Sequence, residues 1–379
     1  MEVFIARTND QDATPSGQPY SLEAFGWTPL FAEQFKVHAD AGFQPARVTV
    51  EHRSSYELLI ESGEVAAALA GRLRHETSSK LDLPAVGDWV AISRQDGGAL
   101  TLVEAVLPRR SVFTRRAAGR DHREQIVAAN VDVVFVVTSL NAELNARRLE
   151  RYLTLAWESG AEPVVVLSKA DLCADPEPLL REVESVSGAV PVLRTSAKDL
   201  ASLDALHQLL LPNRTGALLG SSGVGKSTII NALLGHERQA TAAIREGDGR
   251  GRHTTTRREL VLLPGGGVLI DTPGMRELQL AEAGHGLLAA FDDIEQLAAE
   301  CAFADCSHGP EPDCAVKAAV ADGRLDPERL TSYFKLESEL VHRGRWGHKR
   351  AAAEANKKVK AADRALQKIV KDHNRKGRR

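Results

Sequence analysis

Gly220-Ser221-Ser222-Gly223-Val224-Gly225-Lys226-Ser227 matches the phosphate-binding pattern G-x4-G-K-[ST] and is followed by Thr228. It stands between the short apolar run Gly216-Ala217-Leu218-Leu219 and Thr228-Ile229-Ile230-Asn231-Ala232-Leu233-Leu234, an order that reads as strand, loop, helix. Glycines in that setting let backbone N–H groups converge on phosphate oxygens at a helix N-terminus, where the dipole also favours an anion. Lys226 is then expected to reach the β and γ phosphates, and Ser227 to ligate magnesium. A glycine turn that merely matches the pattern is the alternative, and the other motifs weigh against it.

Asp271-Thr272-Pro273-Gly274 follows the strand-like run Gly267-Val268-Leu269-Ile270. The carboxylate is thereby expected at the C-terminal end of a strand, in the crevice where α/β sheets bind ligands. Asp271 would hold magnesium through water, and the Gly274 N–H would meet the γ-phosphate. Alone, D-x-x-G after a strand reads as a plain turn; downstream of a P-loop it gains weight.

Two further motifs lie upstream. Ser168-Lys169-Ala170-Asp171 follows the apolar run Pro163-Val-Val-Val-Leu167, and Thr195-Ser196-Ala197-Lys198 follows Val190-Pro-Val-Leu193. A carboxylate at Asp171 accepts from the N1 and N2 donors of guanine, a pair adenine lacks, so the motif points to GTP and GDP rather than ATP. In isolation S-K-A-D fits a helix N-cap equally well. Ser196, Ala197 and Lys198, completing a base pocket with Lys169, shift the balance. Ser168 stands where asparagine is usual in N-K-x-D, which predicts a weaker tie between base loop and P-loop.

An ordinary G domain has its P-loop first and its base-reading motifs last, whereas here the base-reading motifs come first. The order implies a circularly permuted nucleotide-binding domain.

The hydrolytic groups are less determined. Met275 follows Gly274 where many small GTPases carry a water-orienting glutamine, and a thioether cannot hold water by a strong hydrogen bond. Gly251-Arg252-His253-Thr254-Thr255-Thr256 is the expected first switch, with Thr255 or Thr256 closing on magnesium. His253 either orients the attacking water or is a solvated loop histidine.

Cys301-x4-Cys306-x-His308-x5-Cys314 gathers three of the four cysteines and a histidine. Three thiolates and an imidazole fill a tetrahedral zinc shell with no open position, which describes a structural site. Disulfides would leave an odd thiol and suit an oxidising compartment. Cys173, outside the cluster, reads as an inert thiol.

The net charge of −3 conceals strong segregation: residues 342–379 hold fourteen Lys or Arg against three acids, a local +11 that leaves −14 on the rest. With few helix breakers and Trp346 as a stacking group, the segment reads as a basic helix for a polyanion, or as a solvated charged tail. Residues 44–116 contain five short strand-like runs separated by turn residues, the pattern of a small OB-type barrel. Arg109, Arg110, Arg115, Arg116, Arg120 and Arg123 follow it as candidate nucleic-acid contacts. Residues 1–43 show no clear motif and no basic start with a long apolar core, so a signal peptide is not expected. No apolar run approaches membrane-spanning length.

The expected architecture is therefore multidomain α/β plus β. An N-terminal extension (1–43) precedes an OB-type β-barrel (44–116) and a circularly permuted P-loop GTPase domain (125–284) with a parallel sheet and flanking helices. A helical zinc-binding module (285–341) and a basic helix or tail (342–379) follow. Barrel, permuted motif order, zinc spacing and basic C-terminal segment together resemble the RsgA (YjeQ) family of ribosome-associated GTPases. The resemblance implies a cytoplasmic GTPase that binds the small ribosomal subunit and its rRNA late in assembly and is stimulated by it. It implies phosphate and magnesium roles for Gly220, Gly225, Lys226 and Ser227, guanine contacts for Lys169 and Asp171, and zinc at the four Cys/His positions. His253 matches the family's histidine before the threonine run. Neither a membrane partner nor an oligomer is expected. Two rival readings are an RNA-binding scaffold without turnover, opposed by the intact P-loop and Asp271, and a general NTPase, opposed by Asp171.

Because an amide reverses part of the hydrogen-bonding pattern at the base edge, Asp171→Asn is expected to move nucleotide preference from guanine toward xanthine. Competition binding with GDP and XDP checks this; an unchanged preference would refute the assignment of the base pocket.

Overall fold

In the computed structural model, residues 21–77, 79–94, 100–116, 124–140, 144–196, 198–199, 201–235, 258–271, 285–303, 306–308 and 311–340 are described. The chain divides into two compact units, Met1–Leu144 with Ser159–Gln279, and Asn145–Glu158 with Leu280–Arg379.

The first unit opens with a helical turn at Leu22–Phe25 and helix α1, Pro29–Asp40. Proline occupies the first turn, where its missing N–H is no loss. Phe31 and Phe35, one helical turn apart, are buried together with Phe25, Leu59, Trp89 and Leu107. Residues 21–43, which carry no assigned element in the sequence reading, thus contribute a helix to the core. The signal for it is the aromatic pair at i, i+4 behind Thr28-Pro29.

Five strands follow: β1 (Gln44–Glu51), β2 (Tyr56–Ile60), β3 (Gly63–Leu69), β4 (Trp89–Arg94) and β5 (Thr101–Val106), with helix α2 (Gly71–Glu76) between β3 and β4. They pair in the order β1-β2-β3-β5-β4, β3 with β5 in parallel, and β4 returns to β1 to close the barrel. Ala46, Val48, Leu58, Val90, Ile92 and Val103 fill the interior. Trp89 and Ala91 alternate to the opposite side and meet α1, as the two-residue period of a strand requires.

Strands β6 (Val112–Arg116) and β7 (Glu124–Ala129) form a separate antiparallel pair. Residues 112–116, expected at the end of the barrel, therefore pair outside it.

The nucleotide-binding domain contributes β8 (Val133–Ser139), β9 (Glu162–Ser168), β10 (Val192–Arg194), β11 (Thr215–Leu219), β12 (Glu259–Leu262) and β13 (Val268–Asp271). The order β10-β9-β8-β11-β13 is parallel throughout, with β12 antiparallel at the edge. Helices α4 (Glu177–Ser187), α5 (Ala201–Gln208) and α6 (Lys226–Leu234) belong to this unit, while α3 (Ala146–Ser159) falls almost wholly within the second. Runs such as Val133-Val-Phe-Val-Val137 lack polar alternation because parallel strands are covered on both faces. The P-loop strand β11 is central, between β8 and β13, although three strands of the parallel sheet precede it in the chain. This is the permuted arrangement that the motif order implied. Through Val50 and Glu259, β1 pairs with β12, so barrel and nucleotide-binding sheet are hydrogen-bonded into one.

Arg47 stands at that junction, 1 % exposed. Its guanidinium donates to the Phe25 carbonyl, to Thr215 Oγ1 at 2.8 Å and to the Gly87 carbonyl at 3.3 Å, and lies 5.4 Å from the centre of the Trp89 ring. Burial pulls its pKa down to about 10, with Asp132 and Asp88 opposing.

In the second unit α3 is accompanied by α7 (His285–Ala290), α8 (Asp292–Ala298), α9 (Ala315–Ala321) and the helical residues 327–340. Glu150 of α3 is fully buried between Arg147 at 2.9 Å and Arg329 at 3.1 Å, and Arg329 also holds Asp293 at 2.6 Å. A Cβ on Gly286 would lie 2.3 Å from the Thr154 carbonyl oxygen, so only glycine lets α7 approach α3 this closely. Residues 145–158, expected within the nucleotide-binding domain, therefore belong to the C-terminal unit.

Replacing Arg47 with methionine leaves the Phe25 carbonyl and the Thr215 hydroxyl buried without that donor, and is expected to lower stability by about 2–4 kcal/mol. Denaturant unfolding followed by tryptophan fluorescence measures it. A loss within about 0.5 kcal/mol would show that Arg47 is dispensable.

Candidate functional site

The P-loop turns sharply out of β11. Gly220 has φ +156°, and a Cβ there would lie 2.3 Å from the Val137 carbonyl oxygen of β8, so any side chain would push the loop off the sheet. Gly225 has φ +98° and forms the N-cap of α6, whose first residue is Lys226. The Lys226 ammonium folds over the loop and donates to the carbonyls of Gly220 at 2.8 Å and Ser221 at 2.5 Å. Ser221, Ser227 and Thr228 are half-buried, Ser222 and Gly223 exposed, and Val224 buried in the domain core. The loop is thus pinned from below by an apolar side chain and left open above.

Asp271 ends β13. Since Ala217 of β11 is in register with Ile270, its carboxylate is carried at the same end of the sheet as the P-loop.

Ser168 ends β9 and is buried; its hydroxyl donates to the P-loop carbonyl of Val224 at 2.5 Å and lies 3.2 Å from the Thr138 carbonyl. The serine therefore retains a direct tie between base loop and P-loop, which the sequence reading expected to weaken. The short side chain reaches the Val224 carbonyl directly. Lys169 has a left-handed backbone, φ 58°, which turns the chain into Ala170–Leu172.

The Asp171 carboxylate accepts from Ser196 Oγ at 2.8 Å and pairs with Lys198 Nζ at 2.8 Å. These partners, Lys198 first and Ser196 second, hold its carboxyl below the ordinary carboxylate range. Ser196 N donates in turn to Ser202 Oγ at 2.9 Å, and Ala170 N to the Thr195 carbonyl at 3.1 Å, so the two base-reading loops form one network. Ser202 was not among the residues expected here; its signal is a serine six positions after Ser196 at the start of α5. Ala197, His253, Thr255, Thr256, Gly274 and residues 342–379 lie outside the described residues.

In the second unit Cys301, Cys306, His308 and Cys314 offer ligand atoms that all lie within 4.8 Å of one another and could hold a metal ion. Cys314 is also the N-cap of α9, and His308 takes a left-handed backbone, φ 57°, that turns its ring into the cluster.

One group of expected contacts changes role. Arg109 donates through two nitrogens to both oxygens of Asp88, at 2.8 and 2.7 Å, and to the carbonyls of Leu81 and Leu83. Asp88 is fully buried, so this arginine neutralises an interior carboxylate and is not a nucleic-acid contact. Arg110 pairs with Asp132 at 3.0 Å.

The sequence profile described as RsgA GTPase matches residues 106–281. A small ribosomal subunit biogenesis GTPase RsgA from Opitutus terrae is 47% identical over 361 residues, covering 92% of this chain and 98% of the relative. The chain belongs to the RsgA GTPase family. An RsgA relative from Leptospira interrogans is 42% identical across 95% of this chain and 99% of its own length, which leaves too few residues outside to exclude the N-terminal 43. The solved YjeQ of Thermotoga maritima is similar at 28% identity with a TM-score of 0.59, covering 79% of this chain and 99% of that one. YloQ, described as a circularly permuted GTPase, shares the fold at 23% identity and a TM-score of 0.58. RsgA membership accords with the permuted sheet, the five-stranded barrel and the Cys/His cluster.

The expected guanine contact needs an ionised Asp171, and its partners lower its pKa from the ordinary carboxylate value of 3.8. Lys198→Ala removes the larger cause, so its GDP affinity is expected to decline at a higher pH than in the parent protein. Fluorescent-GDP binding, titrated downward from neutral pH over the range where circular dichroism shows a retained fold, tests this. Coincident pH midpoints would exclude Lys198 from the role.

Proposed function

We propose that this GTPase acts as a GTP-dependent switch on the small ribosomal subunit late in its assembly, and that the subunit stimulates hydrolysis. The single observation that carries the nucleotide half is the tie of Ser168 to Val224, which links the expected guanine-reading loop after β9 to the P-loop after β11, across the intervening strand β8. The names of the RsgA relatives supply the ribosomal half.

In this reading Gly220 to Thr228 bind the phosphates, with Lys226 moving from its carbonyl partners to the β and γ oxygens. Ser227 and Asp271 would hold magnesium, which would supply charge neutralisation at the transferring phosphoryl group. Lys169, Asp171, Ser196, Ala197 and Lys198 form the guanine pocket. Thr255 or Thr256 closes on the metal in the GTP state, His253 orients the attacking water, and the Gly274 N–H senses the γ-phosphate.

Zinc fits the Cys/His cluster. A tetrahedral ion with the usual Zn–S and Zn–N lengths places its donors about 3.8 Å apart for sulfur pairs and about 3.6 Å for sulfur–nitrogen pairs. Here Cys301 and Cys314 sulfurs are 3.9 Å apart, and His308 Nδ1 lies 3.6 and 3.5 Å from them. With four protein donors the ion would be structural. Residues 342–379, at +11, are the proposed contact to rRNA phosphates. No helix among the described residues is long and apolar enough to cross a membrane, and the proposed setting is the cytoplasm, as a monomer.

Phosphate release from GTP is expected to be slow for the zinc-loaded protein alone and to rise strongly with isolated small ribosomal subunits, with ATP inert. A rate indifferent to the subunit would sink the ribosomal half of the reading. Equal hydrolysis of ATP would sink the guanine assignment.

A further inference from the structure

Arg258 is the residue that follows His253-Thr254-Thr255-Thr256-Arg257 and immediately precedes β12. Its side chain is only 13 % exposed. Nη1 donates to the Ile126 carbonyl at 3.2 Å and Nη2 to Gln125 Oε1 at 3.3 Å, both on β7. Nη1 also lies 3.5 Å from Glu51 Oε2 at the end of β1. One planar fork thus engages the barrel's first strand and the β6–β7 pair at once, beside the Val50–Glu259 pairing that joins barrel to nucleotide-binding sheet.

The surroundings are unfavourable for charge. Burial lowers the pKa of Arg258, with Arg115 adding to the effect, and burial raises that of Glu51, with Arg258 opposing. Ion pairs in such places are weak contributors to stability against apolar substitutes, so fold stability is a poor account of why a fork stands here. Its position in the chain supplies a better one. In the sequence only Arg257 separates Arg258 from Thr256, the last of the threonine run.

We propose that Arg258 is a positioning residue for GTP hydrolysis: its fork fixes the exit of the first switch to β1 and β7. The proposal rests on the switch reading given under Proposed function. Arg258 touches no nucleotide. It acts through the segment that precedes it.

The test uses the full-length, zinc-loaded protein and its Arg258→Met, Arg258→Lys and Gln125→Leu variants. Bound to magnesium and a non-hydrolysable GTP analogue, Arg258→Met is expected to exchange backbone amides faster across residues 252–262 than the parent, with GDP and analogue affinities unchanged. Turnover in the presence of small ribosomal subunits is expected to fall about tenfold to 100-fold, the range associated with misplacing a catalytic group by about 1 Å. Arg258→Lys keeps the charge near Glu51 but not the fork, and is expected to resemble Arg258→Met. Gln125→Leu removes a single partner, so it serves if Arg258→Met does not fold, and the same changes in smaller degree are expected.

Unchanged exchange in folded variants would overturn the proposal, as would a loss of nucleotide affinity parallel to the loss of turnover, which marks a merely structural role. If the parent protein itself shows no stimulation by the subunit, the functional reading fails, while amide exchange still decides the role of Arg258.

Discussion

A single buried guanidinium brings together the parts of the first unit. Arg47 leaves the barrel strand β1 and meets the carbonyl of Phe25 from the N-terminal turn, the carbonyl of Gly87 before β4 and the hydroxyl of Thr215 at the start of β11. A charge there is tolerable because donors find fixed acceptors in every direction and Asp132 and Asp88 lie near enough to oppose the desolvation. Five residues after Thr215 the chain enters the P-loop. The strand that leads into the P-loop is thus held at its root by a barrel side chain, and the sheet it belongs to is joined to the barrel by the pairing of β1 with β12, two strands away.

The nucleotide site depends on equally close backbone approaches. Gly220 must lack a Cβ because the Val137 carbonyl occupies that space, and Ser168 bonds Val224 at the other end of the loop. The substitution of serine for the usual asparagine is accommodated by this proximity, since the shorter side chain meets a backbone already within reach. Asp171 lies on the other side, bonded to Ser196, with its carboxyl held below the ordinary carboxylate range chiefly by Lys198. Both halves of the site are organised by neighbours on β8, β9 and β11, three strands adjacent in space although they are not all consecutive in the chain.

The helix between β8 and β9 follows a different logic. Its amphipathic sequence marks a helix, but nothing local states which core it enters. The buried Glu150, held by Arg147 and Arg329, assigns it to the unit with the C-terminal helices. Arg109 offers the same lesson in reverse. From sequence it belongs to a basic run suited to nucleic acid, and only the folded chain reveals the buried Asp88 that it neutralises.

What the sequence by itself determined was everything carried by local spacing. The P-loop between a strand and a helix, the five barrel strands and the clustered Cys301, Cys306, His308 and Cys314 are each legible from short spacings, and the permuted order needs only the sequence of such motifs along the chain. What only the tertiary structure decided were pairings between distant residues: Arg47 with Thr215, Ser168 with Val224, Arg258 with Gln125 and Ile126, Glu150 with Arg329. No periodicity encodes such contacts. They arise when burial removes water as the alternative partner, and each polar group must then be satisfied by whatever the fold has brought beside it.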